Sequence, residues 1–559
     1  MESNQLSNTP NILQRIYAAR GIQKASELNR SLGQLISPYL LGGIDQAANI
    51  IADAVIGQQY ITIAGDYDCD GATGTTIGYR GLRLLGAQNV RTIVPDRAVH
   101  GYGLTPGLVD AMSPDTQLIV TVDSGTSSVE GVKHAQSKGM RVVVTDHHLP
   151  GDALPTADAI VNPNLKGDLF PSRFPCGAAV LFFVLIAVRR ELRIRGYYHA
   201  NELPDLTSLL PIVAIGTIAD LVSLDQNNRI LIHNGLQMIR NGHMPIGLRM
   251  MIQLSGKNHQ TLVASDIAFS IAPILNAAGR IETMDAGVKV LCTDDAAEAE
   301  TIVRYLLDVN ARRKEKQASM VTEAEELVVG LDSAQESSGV TVYSETWHPG
   351  IVGLVASKLK ESLHRPVFAF APAMEGSTEL RGSGRSVEGV HLRDVLAEID
   401  ATNPGLIPKF GGHAMAAGMS LDVRQIERFK TCFDQTVAKY VNDDILQKVI
   451  LTDGELDVGE LSLETAQLLR SEGPWGQAFP EPVFEGTFDV IDYKILKDVH
   501  LKLELAHCKD GTIVDAIHFF GYTGQPIPTR IRIAYELSVN EFRDRLTLQL
   551  LIRHLEETA

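Results

Sequence analysis

Five short apolar runs lie between residues 46 and 165, and helix-like stretches separate them. The runs are Tyr60–Ala64, Val90–Val94, Gln117–Val122, Arg141–Thr145 and Ala159–Val161. They are nearly continuous rather than alternating with polar residues, which is typical of parallel strands that helices cover on both faces. The sequence therefore predicts an α/β domain with a doubly wound parallel sheet.

Acidic residues and histidines follow three of these runs directly. They are Asp66, Asp68 and Asp70 after the first run, Asp123 after the third, and Asp146, His147 and His148 after the fourth. The carboxyl ends of parallel strands line one crevice, where such sheets bind ligands. We therefore expect these side chains to converge, although they are distant in sequence.

Carboxylates that gather in a partly buried crevice repel one another, and a divalent cation relieves that repulsion. Carboxylates with one or two imidazoles suit Mn²⁺ or Mg²⁺ better than metals that prefer thiolates. The candidate ligands outnumber what one ion needs, so the sequence predicts two ions. Two ions ~3.5–4 Å apart can clamp the attacking and leaving oxygens of a phosphoryl displacement.

Each motif alone has a structural interpretation. Asp66–Asp70 resembles a turn, Asp123 could cap a helix, and adjacent histidines often lie on the surface. Their joint placement at three strand ends favours the metal site. Asp220 lies in the apolar stretch Leu206–Leu224, predicted to be helical, and a buried carboxylate there needs a partner, for which a metal is the candidate.

The length of 559 residues exceeds what one hydrophobic core usually organises. We predict an N-terminal segment at 1–45, the first α/β domain at 46–290, a connecting helix at 291–332, a smaller α/β domain at 333–445 and a last domain at 446–559. Strands of the smaller domain are expected at Gly339–Tyr343 and Pro366–Ala371. Period-two alternation at His500–Leu505, Arg530–Leu537 and Arg545–Ile552 predicts an antiparallel sheet or small barrel.

Composition excludes several classes of protein. Five scattered cysteines without a C-x-x-C pair argue against a disulfide framework and structural zinc. Neither a signal peptide nor an apolar run long enough for a bilayer is evident, so we expect a cytoplasmic protein without a membrane association. The net charge of −17 argues against a broadly basic surface, but a locally positive channel is compatible with it.

Eight motifs occur in a characteristic order along nearly the whole chain. They are DYDCDG at 66–71, VDSGT at 122–126, TDHH at 145–148, ADLV at 219–222, LNAAGRI at 275–281, WHPGIVGLVASKL at 347–359, GSGRSVEGVHL at 382–392 and FGGHAMAAG at 410–418. In this series the chain resembles the DHH phosphoesterase superfamily, named after the tripeptide at 146–148, and within it the RecJ family.

The resemblance implies roles for individual residues. Metal ligands would be Asp68, Asp70, Asp123, His147 and Asp220, with Asp123 bridging the ions. The catalytic groups would be His148 and Asp66. Substrate phosphates would be held by Arg97, Arg280, Ser383, Arg385 and His413.

The resemblance also implies a fold and an activity. The fold would be a parallel-sheet DHH domain and a smaller α/β DHHA1 domain, joined by a long helix, with a C-terminal antiparallel β-barrel of OB type. The activity would be metal-dependent 5′→3′ exonucleolytic digestion of single-stranded DNA to 5′ mononucleotides, in DNA repair and recombination. Expected partners are single-strand-binding protein and a RecQ-type helicase, and the expected state is a monomer.

An OB-type barrel binds single strands through a positive groove and stacking aromatic rings. Candidate groups here are Lys494, Lys497, Lys502, Arg530 and Arg532, with Tyr493, Phe519, Phe520 and Tyr535. One alternative is a DHH phosphodiesterase for short oligonucleotides, cyclic dinucleotides or pyrophosphate, but such chains resemble the first two domains alone. The other alternative is a non-catalytic scaffold, which is disfavoured because every ligand position is filled.

Overall fold

The computed structural model describes residues 10–97, 99–199, 202–329, 337–542 and 545–558. Residues 1–9 of the predicted N-terminal segment, and 330–336 around the end of the predicted connecting helix, lie outside the described residues. The chain forms two compact units. One comprises Met1–Gly279, Thr283–Leu306 and Ile450–Ala559, and the other comprises Arg280–Glu282 and Leu307–Val449. Among the described residues, no helix combines the length and apolar character that crossing a membrane requires.

The first unit contains a five-stranded parallel sheet in the order β2-β1-β3-β4-β5. Its strands are β1 Ile61–Ala64, β2 Val90–Ile93, β3 Leu118–Val122, β4 Arg141–Thr145 and β5 Ala159–Val161. All five predicted runs are strands, and their parallel direction is confirmed. The order makes β1, β3 and β4 neighbours, so their carboxyl ends lie side by side.

Helices cover both faces of this sheet. Leu118, Val120 and Val122 of β3 belong to one buried cluster, whereas Ile119 belongs to a separate cluster. This alternation explains why the strand is apolar at every position. The helices of the unit up to residue 292 are α1 Asn11–Ala19, α2 Ile44–Ile56, α3 Cys69–Leu84, α4 Pro106–Asp110, α5 Val129–Ser137, α6 Gly177–Ile194, α7 Leu210–Ala219, α8 Gln226–Arg240, α9 Ile246–Leu254, α10 Ala264–Asp266, α11 Ala272–Ile281, which ends in the second unit, and α12 Asp285–Cys292.

The helix predicted over Leu206–Leu224 is shorter than expected. A 3-10 turn at Leu206–Leu209 leads into α7, which ends at Ala219. Asp220 is the C-cap residue, and Leu221 follows with a φ of +56°. A residue in the left-handed region commonly ends a helix. Asp220 therefore lies at the end of a helix, with 22% of its side chain exposed, which corrects the prediction of an acid within a helix.

The predicted connecting helix is confirmed as α13, Ala296–Val329. Its residues from Leu307 onward belong to the second unit, which also contains a mixed sheet in the order β6-β7-β8-β10-β9. The strands are β6 Val340–Tyr343, β7 Val367–Pro372, β8 Glu379–Arg385, β9 Lys409–Gly412 and β10 Ala416–Asp422. The helices are α14 Val352–Leu363, α15 Leu392–Thr402, α16 Ile426–Val437 and α17 Asp443–Leu446.

The C-terminal segment forms a closed five-stranded barrel, preceded by α18 Leu463–Glu472. Its strands are β11 Phe484–Leu496, β12 His500–His507, β13 Ile513–His518, β14 Arg530–Phe542 and β15 Arg545–Glu557. The three predicted strands are confirmed, and β11 and β13 were not predicted. Tyr535 is only 1% exposed and packs against Phe488, so it belongs to the barrel core rather than to a stacking surface.

The N-terminal helix contacts the chain that leads into the barrel. Arg20 forms a two-pronged ion pair with Asp453, at 2.7 and 3.1 Å, and both side chains are nearly fully buried. The Tyr17 hydroxyl donates a hydrogen bond to Glu472 at 2.8 Å. These contacts explain why the barrel belongs to the same compact unit as the parallel sheet.

Candidate metal centre and phosphate-holding residues

The first acidic motif spans the turn between β1 and α3. Asp68 is the N-cap of α3, where its carboxylate accepts a hydrogen bond from the Gly71 amide at 3.0 Å. Asp70 follows in the first turn of the helix. Carboxylates are favoured at a helix N-terminus because the unpaired amides and the helix dipole attract negative charge. The motif therefore presents its acids at the start of a helix.

The beginning of α6 holds Asp70 from the opposite side. The amides of Gly177 and Ala178 donate to its two carboxylate oxygens at 2.6 and 3.1 Å. Gly177 also lies very close to Asp123, since a Cβ at this glycine would be 2.5 Å from the Asp123 Cβ. Only glycine permits this approach, so α6 brings two acids together.

Asp123 follows β3 and has a φ of +60°, which is uncommon for a residue other than glycine. Its Oδ1 lies 2.9 Å from the Nε2 of His147, which follows β4. Residues in this region cost about 1–3 kcal/mol and persist where the surrounding structure imposes them. The backbone strain is thus located at the centre of the predicted site.

The seven residues to which the resemblance gave metal or catalytic roles come together as three overlapping groups. Ligand atoms within each group lie within 4.8 Å of one another: Asp123, His147 and His148; Asp70, His147 and Asp220; Asp66, Asp68 and Asp123. His147 Nε2 lies 3.5 Å from Asp220 and 3.9 Å from Asp70. Asp123 and His147 are each shared by two groups, which is the arrangement expected of a site for more than one ion.

The electrostatics of this cluster favour a cation. Burial raises the pKa of Asp66, Asp123 and Asp220 well above the usual range, and neighbouring carboxylates raise it further. Burial likewise raises the pKa of Asp70 to about 6, with Asp68 adding to the effect. In addition, Asp66 Oδ1 is buried without a hydrogen-bond donor. These acidic oxygens and one imidazole fit Mn²⁺ or Mg²⁺.

Asp146, which the sequence places with the strand-end acids, is in none of these groups and instead organises the two histidines. Its Oδ1 accepts the amides of His147 and His148 at 2.7 and 3.1 Å and lies 2.9 Å from His148 Nδ1, while Oδ2 accepts the Thr126 amide. Burial raises the pKa of Asp146, but the hydrogen bond and charge of His148 outweigh it and lower the pKa to about 2. Asp146 is therefore occupied by donors from the protein and holds His148 in place.

Tyr102 is a second residue that the sequence analysis missed. Its hydroxyl lies 3.1 Å from His148 Nδ1 and donates to the Asp123 carbonyl at 3.3 Å. Its ring meets that of Tyr67 edge to face, and the Arg97 guanidinium lies 5.2 Å from the centre of the Tyr67 ring. The structure thus places Arg97, a predicted phosphate-holding residue, beside the metal-site motif.

The other predicted phosphate-holding residues belong to the second unit. Arg385 Nη1 donates to Ser383 Oγ at 3.0 Å, and a Cβ at Gly353 would lie 2.9 Å from that hydroxyl. Arg280 Nη1 donates to the Gly350 carbonyl at 3.4 Å. The start of α14 at Gly353 therefore lies against Ser383 and Arg385, and the preceding turn at Gly350 contacts Arg280.

His413 lies in the turn between β9 and β10. Its amide donates to the Ala416 carbonyl at 2.8 Å, and Ala416 pairs with Arg385 across the sheet. Arg385, Ser383 and His413 are thus at one end of the sheet. Their signal in the sequence was the presence of glycine beside each polar residue, which permits close approach of a ligand to the backbone.

Comparison with known proteins identifies three family domains. The family model described as the N-terminal domain of the DHH family matches residues 60–217. The DHHA1 domain matches residues 336–439, and the RecJ OB domain matches residues 452–554. The three matches follow one another in the order that the motifs predicted.

Several curated relatives match along nearly their full length. The chain is 43% identical to the single-stranded-DNA-specific exonuclease RecJ of Salmonella typhimurium over 98% of this chain and 96% of that protein. It is 44% identical to the protein of the same name from Haemophilus influenzae, over 99% and 97%. The crystal structure of Thermus thermophilus RecJ with Mn²⁺ is similar with a TM-score of 0.80 and 28% identity, covering 98% of this chain and 76% of that one. The chain therefore belongs to the RecJ family.

Proposed function

We propose that this protein is a metal-dependent exonuclease that digests single-stranded DNA from the 5′ end and releases 5′ mononucleotides. The observation that carries the proposal is the set of overlapping ligand groups centred on Asp123 and His147. It occurs in a chain that matches single-stranded-DNA-specific exonucleases over 98% of its length. The residues of the site support the chemistry of the proposal, and the relatives support its class of substrate.

The proposed metal ligands are Asp68, Asp70, Asp123, His147 and Asp220, which together would hold two cations, Mn²⁺ or Mg²⁺. Their support is the sharing of Asp123 and His147 between groups and the unrelieved repulsion of the buried carboxylates. When bound, the cations would supply Lewis acidity that stabilises charge developing on the scissile phosphate. Asp66 is proposed as a catalytic group beside the cations, because its Oδ1 is buried without a hydrogen-bond donor.

His148 is proposed as the catalytic histidine. Asp146 and Tyr102 fix its ring at 2.9 and 3.1 Å, while 36% of its side chain remains exposed. Burial lowers its pKa, but the hydrogen bond and charge of Asp146 prevail and raise it above the usual value. A protonated imidazole that is fixed and accessible can donate to the scissile phosphate or protonate the leaving oxygen.

The phosphate-holding residues are proposed to be Arg97 in the first unit and Arg280, Ser383, Arg385 and His413 in the second. An arginine fork matches two phosphate oxygens, and glycines beside it let backbone amides approach the same group. Each group would bind phosphates of the strand, and the barrel would bind the strand through charge and stacking.

Single strands must be supplied from duplex DNA, so we propose a RecQ-type helicase and single-strand-binding protein as partners. The enzyme is proposed to act as a monomer in the cytoplasm, in repair and recombination. Sedimentation of the purified protein tests the monomeric state. Digestion of duplex DNA with and without such a helicase tests whether the helicase supplies the single strand.

The ligand assignment is tested by Asp123→Ala and His147→Ala, with Asp110→Ala as the control. Asp110 is a surface acid that pairs with His134 and Lys138. We expect the two site variants to lose at least about 100-fold in nucleotide release from a single strand, because even supporting residues around a metal contribute 10–100-fold. The control should keep its rate. Wild-type activity in either site variant would refute the proposal.

A further inference from the structure

A pocket of about 40 Å³ lies in the first unit, among α8, the segment 263–265 and residues 470–481. Its walls include His233, Arg240, Ser265, Arg470 and Trp475, none of which belongs to the metal centre. A single water needs about 10–15 Å³ of such space. The pocket is therefore large enough for a small anion.

Two arginines, Arg240 and Arg470, line this pocket close to each other. Arg240 Nε donates to the Leu262 carbonyl at 2.9 Å, and Arg470 Nη2 donates to the adjacent Thr261 carbonyl at 2.6 Å. Consecutive carbonyls thus bring the two guanidinium groups side by side. Among the residues that the structure describes, neither arginine forms an ion pair with a carboxylate.

The local charge is positive around Arg240 and Arg470. Burial and the charge of Arg470 lower the pKa of the Arg240 guanidinium. Burial, together with Arg30 and Arg240, lowers the pKa of His233 as well. Two half-buried cations without a counter-charge destabilise the fold, and a bound anion would offset that cost.

One carboxylate, Glu481, also lines the pocket. Among the described residues, Glu481 forms no ion pair with Arg240 or Arg470. Its presence predicts that an anion binds against some repulsion, so removing this carboxylate should raise the affinity.

We propose that Arg240 and Arg470 form a second phosphate-binding site, separate from the catalytic centre. Paired guanidinium forks suit the oxygens of a phosphate, and the Ser265 hydroxyl offers a further donor. The ligand is a phosphate group, supplied either by the backbone of a bound DNA strand or by free phosphate. Binding at this site does not depend on the proposed nuclease activity.

The test monitors Trp475, which lines the pocket and is one of two tryptophans in the chain. In a Trp347→Phe background, inorganic phosphate is titrated against matched chloride in the presence of chelator. We expect a saturable change in fluorescence that Arg240→Gln with Arg470→Gln weakens at least about tenfold, since each charge-assisted bond contributes substantially. Arg249→Gln is the control, because this exposed arginine also bonds a carbonyl, that of Gly242, outside the pocket.

Glu481→Gln is expected to tighten phosphate binding, which keeps the proposal testable if the double variant does not fold. A single-stranded oligonucleotide then distinguishes the two sources. Weaker oligonucleotide binding with a reduced salt dependence in the double variant assigns the site to the DNA backbone. Unchanged oligonucleotide binding with lost phosphate binding assigns it to free phosphate. Absence of a saturable phosphate signal in the wild type would overturn the proposal. Equal phosphate affinities in the wild type, the double arginine variant and Glu481→Gln would overturn it as well.

Discussion

Asp123 combines an uncommon backbone conformation with the most crowded position in the carboxylate cluster. Its φ of +60° is tolerated by asparagine as well as by aspartate. Burial and four other aspartates raise its pKa, so its ionised form is unfavourable without a cation. The residue is therefore placed for ligation at the expense of stability.

The variant Asp123→Asn should separate the contribution of Asp123 to metal binding from its cost in stability. We expect the metal-free protein to become more stable by about 1–2 kcal/mol, because one buried charge is removed while the backbone is kept. Its stabilisation by Mn²⁺ should fall, and its nuclease activity should be lost. Thermal unfolding in chelator and in Mn²⁺ measures both. Lower stability in chelator, or an unchanged response to Mn²⁺, would contradict this account.

Tyr102 should act as a positioning residue for His148. Tyr102→Phe keeps the ring contact and removes the hydroxyl 3.1 Å from the imidazole. We expect kcat to fall about 10-fold with little change in KM, since the residue orients a catalytic group without binding the strand. Steady-state digestion of a single strand measures the split. Tyr79→Phe, which removes a hydroxyl that accepts a hydrogen bond from Arg83, is the control and should leave both constants unchanged.

Sequence predicted the residues whose chemistry is visible at a strand end. Asp68, Asp123 and His147 follow recognisable apolar runs, so their convergence could be predicted from strand direction. Asp146 and Tyr102 could not be assigned, because their roles depend on which donor or ring lies opposite them in three dimensions. That information belongs to the tertiary structure.

Three neighbouring strands and two helix starts build the proposed metal centre. β3 lies between β1 and β4, so Asp123 is central among the acids. α3 begins among the first acids, and α6 begins against Asp70 and Asp123. The close contact at Gly177 therefore helps to bring the proposed ligands Asp70 and Asp123 together.

Gly177→Ala tests this contact, because its Cβ would lie 2.6 Å from the Asp123 Cα. We expect a loss of about 1–3 kcal/mol in the free energy of unfolding, as for other overpacked sites, together with weaker Mn²⁺ binding. Gly107→Ala is the matched control, since Gly107 also lies in the first turn of a helix and has no atom within 4 Å of its added Cβ. Urea unfolding compares them, and equal stabilities would contradict the account.

Glycine-rich strands were among the elements that the sequence did not predict. In β8, Gly382 and Gly384 lie against the rings of Phe370 and Phe368, where a Cβ would be 2.2 and 2.5 Å from the ring atoms. The aromatic rings fill the space that apolar side chains of β8 would otherwise occupy. Polar and apolar side chains therefore do not alternate along this strand, although it pairs fully with its neighbours.

At the scale of the whole molecule, the N-terminal segment and the approach to the barrel stabilise one compact unit. The ion pair of Arg20 with Asp453 is nearly fully buried, with 5% and 7% of the side chains exposed. Removing one partner of a buried pair leaves an uncompensated charge and typically costs about 3–5 kcal/mol. The segments 1–45 and 446–559 were predicted to be separate. Their boundaries remain a proposal.

Arg20→Gln should therefore lower the free energy of unfolding by about 3 kcal/mol. Arg304→Gln, which breaks an exposed pair with Glu300 on α13, should change it by less than about 0.5 kcal/mol. Denaturant unfolding of the two variants in parallel gives the comparison. Similar stabilities would show that the buried pair does not hold the N-terminal segment.

We propose that the acidic strand ends catalyse digestion of a single DNA strand from its 5′ end. The most direct measurement is digestion of a long single-stranded oligonucleotide, labelled separately at each end, beside its duplex, with Mn²⁺, with Mg²⁺ and with chelator. We predict metal-dependent release of mononucleotides from the 5′ end of the single strand alone. An intact single strand alongside hydrolysis of dinucleotides or pyrophosphate would contradict the claim and favour a small-substrate phosphodiesterase.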